Sequence, residues 1–75
     1  MLETEIFGYK IVHQKVGNVV EIVVNANVYA EKTIAENATY SIVANVDFHQ
    51  IIAGFDGKEH YLAFDGDVIL RETKI

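Results

Sequence analysis

The residues of this chain that could do chemistry are three histidines and a group of carboxylates. His13, His49 and His60 have the one side chain whose ordinary pKa lies near neutral pH. Asp56, Glu59, Asp65 and Asp67 crowd one short stretch of the last third of the chain. Such residues serve metal binding or acid–base catalysis when they converge. Their spacing here argues against both. Asp-Gly-Asp at 65–67 resembles a fragment of a calcium loop. Calcium takes six to eight oxygens, however, and the remaining ligands of such a loop are missing. On extended strands, Asp56 and Asp65 fall at opposite ends of a sheet, roughly 20 Å apart. His49 and His60 fall roughly 12 Å or more apart along one face, too far to share a zinc ion at about 2 Å per ligand. His13 approaches either of them only through tertiary folding. There are no cysteines, which excludes thiolate zinc sites and disulfides. Ser41 is the only serine and sits in no nucleophile elbow. The five glycines are isolated, so no loop cradles phosphate. No pair of carboxylates is singled out for glycoside chemistry. The expectation is a protein without catalytic residues, cofactor or metal.

The elements that would position these side chains are strands. Asp56-Gly57 and Asp65-Gly66 separate apolar runs, and Asp-Gly between alternating apolar residues is a strong hairpin signal. They predict a three-stranded meander near 50–55, 58–64 and 67–73. Two-residue loops would set Phe55 opposite Lys58, Ala53 opposite His60, Phe64 opposite Asp67 and Leu62 opposite Ile69. One face then carries Ile51, Ala53, Phe55, Leu62, Phe64 and Ile69. The other carries Ile52, Tyr61, Ala63, Val68 and Leu70. Both faces are apolar, although a small antiparallel sheet usually wets one of them.

Upstream, residues 5–16 and 19–30 around Gly17-Asn18 predict one long hairpin. Its apolar face holds Phe7, Tyr9, Ile11, His13, Val20, Ile22, Val24, Ala26, Val28 and Ala30. Its wet face carries a minor strip at Val12 and Val23, with Tyr29 as an exposed aromatic. Residues 31–38 favour a loop or a single helical turn. Residues 39–48 alternate cleanly, with Tyr40, Ile42, Ala44, Val46 and Phe48 inward and Ser41, Val43 and Asn45 outward. A bend or bulge near 46–50 would carry this strand into the meander; a short helix over 48–53 is the rival reading. The Phe-Asp-Gly triplet recurs after nine residues. The sum is an all-β fold: a single antiparallel domain over residues 1–75, with five to six strands in a small curved sheet or partly open barrel.

Seventy-five residues with 51% apolar content bury only about 60% of their unfolded surface, so oligomerisation is an expected aid to stability. The net charge of −5 opposes binding to nucleic-acid phosphates. No run reaches the roughly 18–20 apolar residues of a membrane span. The start, Met-Leu-Glu-Thr-Glu, lacks signal-peptide character, so the expected location is the cytoplasm of the producing cell, or of a host if the gene is viral. These features predict a small acidic interaction or assembly subunit, either a homo-oligomer or bound to a protein partner. The expected contact residues are Ile52, Tyr61, Ala63, Val68 and Leu70, with Tyr29. Two alternatives are an acidic inhibitor that mimics nucleic acid and blocks a basic site, a profile of size and charge shared with small phage-type proteins, and a small-molecule-binding β-barrel.

Overall fold

Four tight reversals of one kind cut the chain into strands. At Phe7-Gly8, Asn25-Ala26, Asp47-Phe48 and Asp65-Gly66 both residues have positive φ, as a type I′ hairpin turn demands. A computed structural model describing residues 1–75 contains no helix and eight strands. These are β1 (Leu2–Ile6), β2 (Tyr9–Val16), β3 (Val19–Val24), β4 (Asn27–Thr33), β5 (Tyr40–Val46), β6 (His49–Phe55), β7 (His60–Phe64) and β8 (Asp67–Glu72). They form two antiparallel four-stranded meanders, β1-β2-β3-β4 and β5-β6-β7-β8. The inner faces share one core that includes Leu2, Ile11, Val20, Ile22 and Val24 from the first sheet. Ile42, Ala44, Ile51, Ala53, Leu62 and Phe64 complete it from the second.

The all-β, antiparallel reading therefore holds, but five to six strands in one sheet or partial barrel does not. The long hairpin of 5–16 and 19–30 is four strands. Only Gly17-Asn18 reverses the chain where expected, with Val16 opposite Val19. The further turns at Phe7-Gly8 and Asn25-Ala26 escape sequence reading because neither pairs Asn or Asp with Gly. Between β5 and β6 there is neither bent strand nor helix. Asp47-Phe48 is a hairpin turn, and it puts Phe48 fully in solvent at 107% relative exposure instead of inward. Phe7 is likewise exposed at its turn. Residues 34–39 form a loop without helix.

The Asp65-Gly66 turn is as expected, with Phe64 opposite Asp67. The turn after Phe55 spans four residues, so Phe55 faces His60 and Ala53 faces Leu62. This register differs by two from the expected one, and a slip of two leaves every side chain on its face. The Asp56 carboxylate closes the turn by accepting from the backbone N–H groups of Lys58 and Glu59, both at 2.8 Å. These bonds hold its pKa below the usual range.

A bulge in the β7–β8 pairing falls between Leu62 and Ala63, so Leu62 faces Leu70 and Ala63 faces Val68. The β3–β4 pairing carries the same irregularity between Ile22 and Val23. The two bulges are 40 residues apart, and so are other features. Lys10 and Asn25 exchange a side-chain and a backbone hydrogen bond, as do Gln50 and Asp65. The second sheet thus repeats the first at an offset of 40. The chain is an internal repeat that the Phe-Asp-Gly recurrence does not reveal.

Phe48 tests the turn chemistry. Its φ is 67°, a region that costs a residue bearing Cβ about 1–2 kcal/mol, and its side chain is in solvent. Phe48→Gly is expected to raise stability by roughly 0.5–1 kcal/mol, read as a higher urea midpoint. A lower midpoint would show that the ring has a partner.

Candidate functional site

Two features of the surface stand out, the outer face of the second sheet and a cleft at one end of the sandwich. On the outer face, Val43, Ile52, Ala63 and Val68 are direct cross-strand neighbours, giving one apolar row over β5, β6, β7 and β8. Ala63, at 6% exposure, is buried within the row, and Ile52 is half-buried. Val43 and Val68 are 49% and 46% exposed. Tyr61 extends the surface by lying across Gly54, where there is no side chain to prop it away. The Arg71 guanidinium sits over the Tyr61 ring, 5.8 Å from its centroid, and 3.4 Å from an Asp56 carboxylate oxygen.

Of the contact residues expected from sequence, Ile52, Tyr61, Ala63 and Val68 are brought together on this face. Leu70 is not. The bulge at Ile69 places it opposite Leu62, and it packs against the core. Tyr29 lies on the other sheet, at the corresponding bulge. Val43 belongs to the row and is legible as outward-facing, but only the pairing of β5 with β6 puts it beside Ile52.

The first sheet is an internal control for the second. Its matching row is Val12, Val23 and Val28, continued on β1 by Glu3. At positions 40 residues apart, Glu3, Glu5 and Glu21 of the first sheet correspond to Val43, Asn45 and Tyr61 of the second, and Glu31 corresponds to Arg71. The first outer face is therefore ringed by carboxylates at four positions where the second has none.

The cleft lies at the end that carries the loop 34–39 and the turn 56–59. It has a volume of about 260 Å³, and its lining includes Lys15, Ile34, Tyr40, Phe55, His60 and Lys74. Behind it, His13 is wholly buried, and its Nε2 is 2.8 Å from the Tyr40 hydroxyl. Its Nδ1 has no hydrogen-bond partner. Burial, aided by nearby His60, lowers the His13 pKa to about 4, so the ring is neutral at neutral pH. Burial likewise pushes the Tyr40 hydroxyl up to about 12. The His60 ring stacks on Phe55 at 4.4 Å between centroids and lies 6.1 Å from the His13 ring. Tertiary folding thus joins His13 to His60.

His49 is elsewhere. It bonds Asp65 at 2.7 Å at the opposite end, where Phe7 stacks on it. Asp56 and Asp65 stand at opposite ends, and no group of three or more His, Asp or Glu side chains is placed to hold a metal ion. The eleven carboxylates are spread over the first outer face, both ends and the 34–39 loop. No helix is long and apolar enough to cross a membrane. No protein-family model, no curated protein and no solved structure matches the chain.

Proposed function

We propose that this protein is a non-enzymatic assembly subunit that pairs with a second copy through the outer face of its second sheet. The observation that carries this reading is the Val43–Ile52–Ala63–Val68 row. It is continuous over four strands, exposed at Val43 and Val68 at its two ends, and without carboxylates at the positions that carry them on the first sheet. Burying such a row gains about 25 cal/mol for each Å² of apolar surface removed from water, and a small domain needs that supplement. Two copies meeting face to face bring the same patch together on both sides, as an isologous contact requires. Their carboxylate-ringed first sheets then face outward. Glu3, Glu5, Glu21 and Glu31 on each of those faces repel further stacking, which favours a closed pair over a fibre.

Sedimentation equilibrium at micromolar concentration checks this. The expected mass is twice 8.4 kDa. Val68→Glu is expected to return the mass to that of one chain, because a charge buried without a partner costs several kcal/mol. Val28→Glu, at the matching position of the first sheet, is expected to leave the pair intact. A wild-type protein that stays a single chain would refute self-association, and equal effects of the two substitutions would refute the assignment of the face.

A further inference from the structure

We propose that the end cleft is a binding site for a small organic carboxylate with a flat apolar body, of benzoate size. The chain has eleven acidic residues to six basic ones. Yet two of the six, Lys15 and Lys74, line this one cleft, and no Asp or Glu side chain does. In a protein of net charge −5 these two ammonium groups, beside the terminal Ile75 of the same lining, are the groups that would draw an anion in. Low-dielectric walls focus the field there.

The rest of the lining matches the body of such an anion. Phe55 and His60, stacked on each other with an interplanar angle of 21°, both line the cleft and give it an aromatic side. Ile34 adds an aliphatic side. The His60 ring is oriented by its Nδ1, which donates to the Thr73 carbonyl at 3.0 Å. The Tyr40 hydroxyl has one proton, which is available to a carboxylate oxygen when the His13 Nε2–H donates to the hydroxyl oxygen. The volume of about 260 Å³ is below the roughly 300–1,000 Å³ of drug-sized pockets. It equals roughly nine water volumes of about 30 Å³ each, the scale of a single substituted ring. Phosphate would answer the two ammonium groups but would leave the aromatic and aliphatic lining unused.

The site is separate from the outer face of the second sheet, so it can be tested whether or not the chain pairs. The experiment is a heteronuclear NMR titration of the full chain with benzoate, and in parallel with acetate and inorganic phosphate. The expected result is saturable benzoate binding, with shifts centred on Lys15, Tyr40, His60 and Thr73. Acetate and phosphate should bind at least about tenfold more weakly, a difference of about 1.4 kcal/mol. Lys15→Glu and Lys74→Glu should each weaken benzoate by a similar factor while leaving the remaining spectrum in place. Linear, unsaturable shifts would overturn the proposal. So would phosphate binding as tightly as benzoate, which would make the cleft a plain anion spot, or unaltered benzoate affinity in both lysine variants.

Discussion

Lowering the pH from 7 to 4 is expected to destabilise this fold by up to about 3 kcal/mol through one side chain, His13. In the folded chain its pKa is about 4, against 6.5 for an unburied histidine. Above the higher value both states hold the ring neutral, and the group makes no contribution to pH dependence. Below it the unfolded chain takes up a proton that the folded chain refuses, so stability falls as pH falls. The loss levels off once the folded state also protonates, near pH 4. A gap of about 2.5 units at 1.36 kcal/mol each gives an upper bound of roughly 3 kcal/mol. Burial is the main cause, with smaller opposition to the charge from His60 and the N-terminal amine, while the Tyr61 backbone works the other way. The carboxyl groups of Asp56 and Asp65 are held below their ordinary 3.8, so their contributions disappear at lower pH and do not fill this window. Urea unfolding at several pH values measures the slope. His13→Gln should flatten it between pH 7 and 4 if that variant folds. In the wild type, the His13 ring resonance should titrate near pH 4. A midpoint near 6.5 would mean that the ring is reached by water.

Placing a methyl group on Gly54 is expected to cost about 1–3 kcal/mol, the range seen for overpacked sites. A Cβ there would sit 2.4 Å from the Tyr61 hydroxyl oxygen and 2.6 Å from the Tyr40 carbonyl oxygen. The tyrosine ring can swing away, but the carbonyl belongs to the paired strand β5 and cannot. Gly54→Ala combined with Tyr61→Ala separates the two contacts. The double variant should recover part of the loss and no more, giving a coupling of about 1 kcal/mol between the sites. Simple additivity would show that the ring does not lie across Gly54. The same geometry bears on the proposed function. The ring is spread flat on the outer face because residue 54 has no side chain, and Tyr61 becomes contact surface as a result.

Much of the core is legible in the alternation of apolar residues along the chain. Ile11, His13, Val20, Ile22 and Val24 alternate inward and are buried, as are Ile42, Ala44, Ile51, Ala53, Leu62 and Phe64. Even the wrong register after Phe55 leaves these assignments intact, because the slip is an even number of residues. Val28 and Leu70 fall on the wrong sides for the opposite reason. Each lies beside a bulge, where one extra residue reverses the alternation. The repeat is hidden because its two halves keep the positions but few of the letters. At an offset of 40 the identical pairs along the strands and turns are Ile11 with Ile51, Gly17 with Gly57, Val28 with Val68 and Thr33 with Thr73.

That this is an antiparallel β protein, and which side chains alternate into its interior, is thus written in the order of its residues. Both follow from the two-residue period of a strand, a local property present in every stretch of chain. The reversals at Phe7-Gly8, Asn25-Ala26 and Asp47-Phe48, and the sharing of one core by two sheets, emerge only in three dimensions. So does the meeting of His13, Tyr40 and His60 behind one cleft. Those outcomes depend on contacts between residues far apart in the chain. At Asp47-Phe48, for example, a bond from the Tyr9 hydroxyl to the Asp47 carboxylate at 2.8 Å helps to hold a turn that local preference disfavours.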